Sequence, residues 1–165
     1  MGAAWGMNVI GCIEHPRTPE LEEKLAKRGI RLAEFDEVIT QSDFISIHCP
    51  KKESTLNLFN ADVFSRVKKG AYLINLARGG VVNEKDLYDE LTKGGRLRGA
   101  ALDVHENEGE GNISPFAAFP NVVLTPHMGA QTIDSQKEIG DRVEEIIEDY
   151  IAQKVPVEAA VAEVE

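Results

Sequence analysis

The stretch Leu73-Ile74-Asn75-Leu76-Ala77-Arg78-Gly79-Gly80-Val81-Val82-Asn83 decides how the rest of this chain is read. An apolar run from Ala71 to Leu76 has the length of a buried strand and leads to an arginine. Two glycines follow, and Asn83-Glu84-Lys85-Asp86 then opens a helix with a capping pattern in which Asp replaces the usual Glu. In an open α/β sheet, ligands bind in the crevice beyond the carboxyl ends of the strands. Arg78 is aimed there, and a guanidinium holds a carboxylate through two parallel hydrogen bonds. Gly79 and Gly80 favour that reading, because glycine lets backbone approach a ligand closely. The plain alternative is an Arg stacked over a loop or paired with a helix acid.

Outward from this stretch, strands and helices alternate. Residues 7–12 read as a short strand. Thr18-Pro19-Glu20 opens a helix with Thr as N-cap and Pro at the first position, and Gly29 ends it. Residues 35–39 form a short helix and 44–48 a strand. Asn60 to Val67 is a helix closed by Lys68-Lys69-Gly70. Residues 98–104 and 121–125 are two more strands, and 131–153 is one long acidic-and-apolar helix. Strands alternating with helices imply a parallel, doubly wound α/β sheet.

Bulk properties fit one soluble domain. The chain has 165 residues, 42% hydrophobic and 28% charged, enough for a single core. No apolar stretch approaches the ~20 residues of a membrane span, and the amino end lacks the basic start and apolar core of a signal peptide. Cys12 and Cys49 have no metal-ligand spacing and read as reduced thiols in a cytoplasmic protein. A net charge of −10 argues against nucleic-acid binding.

Two further strand ends carry chemistry. Asp103-Val104-His105-Glu106-Asn107-Glu108 supplies acids, and Thr125-Pro126-His127-Met128-Gly129-Ala130 supplies a histidine. An imidazole titrates near neutrality, so His127 can give a proton to a carbonyl oxygen and take it back. The plain alternative is a histidine capping the long helix. Arg78, Glu108 and His127 in that order, with Pro126-His127-Met128-Gly129 matching a Pro-His-x-Gly motif, resemble the catalytic set of the D-2-hydroxyacid dehydrogenases, the family of D-3-phosphoglycerate dehydrogenase.

The resemblance implies a Rossmann-like sheet and an NAD-dependent oxidoreductase that moves a hydride between nicotinamide and a 2-hydroxy or 2-oxo acid. Arg78 would hold the substrate carboxylate, His127 would be the acid/base, and Glu108 would orient it. The family places this Glu five residues after the Asp at position 103, usually before a proline. Here Gly109 follows, and Glu106 and Glu110 stand nearby. Asp103 sits where the family's acid approaches the nicotinamide carboxamide, although a strand-end Asp also caps turns. His105 replaces a usual aromatic and reads as a surface histidine. Glu14, one residue beyond the usual slot at Ile13, would hold the adenosine ribose and favour NAD over NADP. His15 and Arg17 would suit a 2′-phosphate instead. His48, Cys49 and Pro50 would border the adenine, although Pro50 also serves to end a strand. Ala77 and Gly129 complete the cofactor-facing set.

No Gly-x-Gly-x-x-Gly turn precedes Met7. By the resemblance the chain begins inside the cofactor domain, lacks the upstream substrate domain, and covers about half of a full-length enzyme. Residues 1–153 are then a partial dinucleotide-binding domain and 154–165 a tail. In the strand order 3-2-1-4-5-6 the first strand is central, so its loss leaves two unpaired edges open to pairing or swapping. The expectation is a fragment inactive alone or one piece of an assembly, commonly a homo-oligomer. The rival reading is a non-catalytic binding or regulatory module derived from such a domain. Which 2-hydroxy acid is used stays open.

Overall fold

The computed structural model describes residues 1–14 and 16–153, so the expectations for His15 and the tail lie outside the described residues. The chain divides into two compact units, Met1–Pro126 and a second that starts at His127.

In the first unit the strands are β1 (Val9–Gly11), β2 (Ile30–Leu32), β3 (Phe44–Ile47), β4 (Tyr72–Asn75), β5 (Gly99–Leu102) and β6 (Val122–Leu124). The helices between them are α1 (Pro19–Ala26), α2 (Phe35–Gln41), α3 (Ala61–Arg66) and α4 (Glu84–Thr92). A 3₁₀ turn, Pro115–Ala118, joins β5 to β6. All pairings are parallel, which forces each crossover through a helix or long loop. β2 was not expected, because three residues after Gly29 carry almost no periodicity.

Local chemistry explains the helix boundaries. Thr18 accepts from Leu21 N at 3.3 Å, and Asn60 and Asn83 accept from Val63 N and Asp86 N at 3.2 and 2.9 Å. The expected reciprocal arm at Asn83 is absent. The Asp86 carboxylate instead accepts from Ala61 N at 3.0 Å, so α4 supplies a cap to α3. Gly29, at φ 73, ends the first helical segment in the left-handed region.

The strands fall into two sheets, β1-β2 and β3-β4-β5-β6. No ladder joins the two sheets, and β1 and β3 each keep one edge unpaired. The main core cluster lies on the four-stranded side. Ile45 and Ile47 of β3, Leu73 of β4, Ala100 and Leu102 of β5, Val63 and Phe64 of α3 and Leu87 of α4 pack into one cluster. Phe116 and Phe119 extend it beneath Tyr88, with ring centroids 5.2–6.1 Å apart. No residue of β1, α1 or β2 joins that cluster.

The second unit holds α5 (Ile133–Gln153), started by Thr132, whose hydroxyl accepts from Ser135 N at 3.1 Å. Ile139, Val143, Ile146 and Ile147 recur at helical spacing along a stripe among acidic residues. Among the described residues no helix is long and apolar enough to cross a membrane.

Candidate active site

Parallel strands bring their carboxyl ends to one edge of each sheet, and the expected site residues of the first unit all lie in the loops that leave those ends. The loop after β1 meets the loop after β3. Lys52 Nζ donates to Glu14 Oε2 at 3.1 Å, and Ser54 Oγ donates to Glu14 Oε1 at 3.3 Å. Cys49 shares this corner. Burial raises its thiol pKa above the ordinary value, and the Glu14 carboxylate adds to the rise. The post-β3 loop is pinned by Thr55, which is 7% exposed. Its hydroxyl donates to Pro50 O at 2.7 Å and accepts from Lys52 N at 2.8 Å. His48 is exposed and shares a 2.8 Å hydrogen bond with Ser46. Glu14 thus meets the post-β3 loop through Lys52 and Ser54, close enough to Cys49 to act on its thiol. Arg17 turns elsewhere: Nη2 donates to Ala33 O at 2.6 Å and pairs with Glu34 at 3.0 Å.

Arg78 sits three residues past the end of β4, not on it, and is exposed. Its turn is fixed by Asn75, a side chain that sequence reasoning passed over. Asn75 is 2% exposed, accepts from Ala77 N at 3.1 Å and donates to Arg78 O at 3.1 Å. A lone amide inside an apolar strand run was the signal that could have found it. Arg78 Nη1 rests on its neighbour Ala77 O at 2.8 Å. Gly80, at φ 84, needs glycine's freedom to complete the turn.

The loop after β5 lies directly against this turn, since a Cβ on Gly79 would fall 1.9 Å from His105 O. Asp103 is 4% exposed and accepts from Thr125 Oγ1 at 2.5 Å, a strut between the ends of β5 and β6. Glu108 is exposed, and its Oε1 accepts from His105 N at 2.9 Å. Glu106 is committed to α4: it accepts from Glu84 N at 2.9 Å while Glu84 accepts from Glu106 N at 2.8 Å. His105 is not the surface residue expected. Its side chain is 15% exposed, with Nδ1 buried, lacking a hydrogen bond, and 3.6 Å from Glu84 Oε1. Burial raises the Glu84 pKa above the ordinary carboxylate value, and the hydrogen bond from Glu106 N opposes that rise. These groups and Asn107, Asn112 and Ser114 line a cavity of about 360 Å³.

His127, the first residue of the second unit, takes φ 51, a left-handed conformation that strains a non-glycine backbone. Gln131 Nε2 donates to its carbonyl at 3.2 Å, and Gly129 follows in the same turn.

The family model described as the NAD-binding domain of D-isomer specific 2-hydroxyacid dehydrogenases matches residues 1–129. The chain belongs to that family. D-3-phosphoglycerate dehydrogenase of Archaeoglobus fulgidus is 36% identical over 140 residues, 85% of this chain and 26% of that protein. The crystal structure of D-lactate dehydrogenase from Aquifex aeolicus, complexed with NAD and lactic acid, superposes with a TM-score of 0.80 at 30% identity. It covers 92% of this chain and 48% of its own. An acyclic imino acid reductase in complex with NADPH and D-Arg superposes with a TM-score of 0.75 at 32% identity, over 94% of this chain and 46% of its own. The chain therefore spans about a quarter to a half of the length of these relatives. The residues present fit the family's dinucleotide to this extent: each Glu14 carboxylate oxygen holds one donor from the post-β3 loop and keeps further lone pairs of the kind a ribose diol would use.

Proposed function

We propose that this chain supplies the catalytic half of an NAD-dependent D-2-hydroxyacid dehydrogenase. The observation that carries the reading is the junction of the Arg78 turn with the loop that bears Glu108, through Gly79 and His105. It joins the turn bearing Arg78 to the loop bearing Glu108 at adjoining strand ends, which supports a carboxylate receptor working beside an acid. Arg78 holds the carboxylate of the 2-oxo acid. His127, oriented by Glu108, gives a proton to the carbonyl oxygen in reduction and removes it in oxidation. Glu108 would raise the basicity of the imidazole through its other ring nitrogen. Asp103, Ala77 and Gly129 face the nicotinamide end, and Glu14 with His48, Cys49 and Pro50 the adenosine end. When bound, the cofactor supplies the hydride.

Residues 1–153 act in this reading as a partial dinucleotide-binding domain. The unpaired edges of β1 and β3 are covered by a missing N-terminal portion carrying the glycine-rich turn or by a second copy of the chain, in the cytoplasm. NADH binding is measured by calorimetry on the wild-type chain, Arg78→Ala and His127→Ala, followed by turnover with 2-oxo acids. Binding that survives both substitutions, with turnover lost in each, supports the reading. Binding with no turnover even once the missing N-terminal portion is supplied supports the non-catalytic module instead.

A further inference from the structure

An acid at the end of the second strand of such a domain holds the ribose diol and repels a 2′-phosphate by charge. In this chain that acid does not stand alone. Both Glu14 oxygens are engaged by the post-β3 loop, one by the Lys52 ammonium and one by the Ser54 hydroxyl. The pair sums to no net charge. Lys52 has a fixed base, because its amide and carbonyl are tied to Thr55 and Leu56 at 2.8 and 2.9 Å. Its side chain stays adjustable: Lys52 and Glu14 are 49% and 54% exposed. An ion pair so open to water is weak, so the ammonium can shift to be shared with a ligand phosphate at small cost. Arg17, the cation expected for that role, is held by Ala33 O and Glu34.

We propose that Lys52 is the specificity-determining residue of the adenosine end, and that it lets this site accept a 2′-phosphorylated dinucleotide as well as the unphosphorylated form. This rests on the dehydrogenase reading above. With a free 2′-hydroxyl, Glu14 accepts from the ribose and Lys52 remains its counter-ion. With a 2′-phosphate, the Lys52 ammonium bridges carboxylate and phosphate and offsets their repulsion, and Ser54 stays on Glu14. One cation serves both forms.

The test uses 5′-AMP and adenosine 2′,5′-bisphosphate as probes, titrated into the chain and followed by backbone amide shifts near Glu14 and Lys52. The bisphosphate is expected to bind at least as tightly as 5′-AMP. Lys52→Ala, a half-exposed position far from the core, is expected to weaken the bisphosphate about tenfold, the size of one charge-assisted hydrogen bond. 5′-AMP should stay within about twofold. Glu14→Gln should weaken 5′-AMP more than the bisphosphate. Binding of 5′-AMP with rejection of the bisphosphate overturns the role of Lys52 and leaves the dehydrogenase reading standing. An unchanged or equal response of both probes to Lys52→Ala does the same. Failure of both probes to bind overturns the adenosine site itself.

Discussion

Gly79 and His105 meet backbone to backbone: a methyl group on Gly79 would lie 1.9 Å from the His105 carbonyl oxygen. That atom belongs to main chain on an adjoining loop and cannot swing aside. Gly79→Ala must therefore part the Arg78 turn from the loop bearing Glu108, or strain both. The expected cost is about 1–3 kcal/mol, the range of overpacked interiors, read as a lower urea midpoint. An alanine variant with an unchanged midpoint would show that the two loops do not hold each other.

Asn75 fixes the same turn from below. Asn75→Ala leaves the Ala77 N–H without its buried acceptor, a loss of about 1–3 kcal/mol. Asn75→Asp keeps that acceptor but sets a carboxylate oxygen against the Arg78 carbonyl, where Nδ2 now donates. Both variants should lose stability, and Asp should lose it more at neutral than at acid pH. Chemical denaturation at two pH values separates them, and equal losses at both would refute the role of the amide.

Much of this architecture was legible because it is written in short-range chemistry. Thr18, Asn60 and Asn83 mark helix starts within three residues of the amides they cap, and alternation or continuous apolarity marked β3 to β6. The contacts that escaped are long-range. Lys52 reaches a carboxylate 38 positions away, a partner that nothing in its own neighbourhood of sequence announces. His105 looked exposed because its cover, Glu84, lies across the sheet end on another helix. Arg78 lies in the turn three residues past β4 rather than at the strand end, and the Asn75 side chain that fixes this turn stands in the sequence only as a lone amide closing an apolar run. β2 escaped for a simpler reason, since its three residues give no period to detect.

Glu84 gives the first unit a pH dependence with a definite sign. Burial is the main cause of its raised folded-state pKa, so the folded chain holds the proton more tightly than the unfolded chain. Its contribution is fully present below the ordinary carboxyl value of 4.5 and is lost as pH rises through the folded value. Glu84→Gln keeps an oxygen for Glu106 N and removes the titration. The variant should flatten stability in the interval that begins near pH 4.5 and extends upward, gaining on the wild type at its upper end. A stability-against-pH series that runs parallel for both proteins would contradict this.

Stability across the first unit should be uneven, and the division follows the core. β1, α1 and β2 contribute nothing to the cluster that buries Leu73, Leu87 and Phe116. A two-stranded parallel pair with one helix has little to resist opening, since isolated pairs of strands are marginal in water. Amides of Val9–Gly11 and Ile30–Leu32 should therefore exchange by local opening, while those of β4 and β5, paired on both sides, exchange only with global unfolding. Native-state hydrogen exchange in low denaturant distinguishes the two classes by their slopes. The Glu14–Lys52 pair is one tether between the classes, but it is half exposed and weak. A nucleotide that takes hold of both loops would tie the labile layer to the core, so protection at β1 and β2 should rise on adding one that binds. Uniform slopes without nucleotide would mean that the N-terminal layer shares the core's cooperativity through contacts other than buried apolar surface.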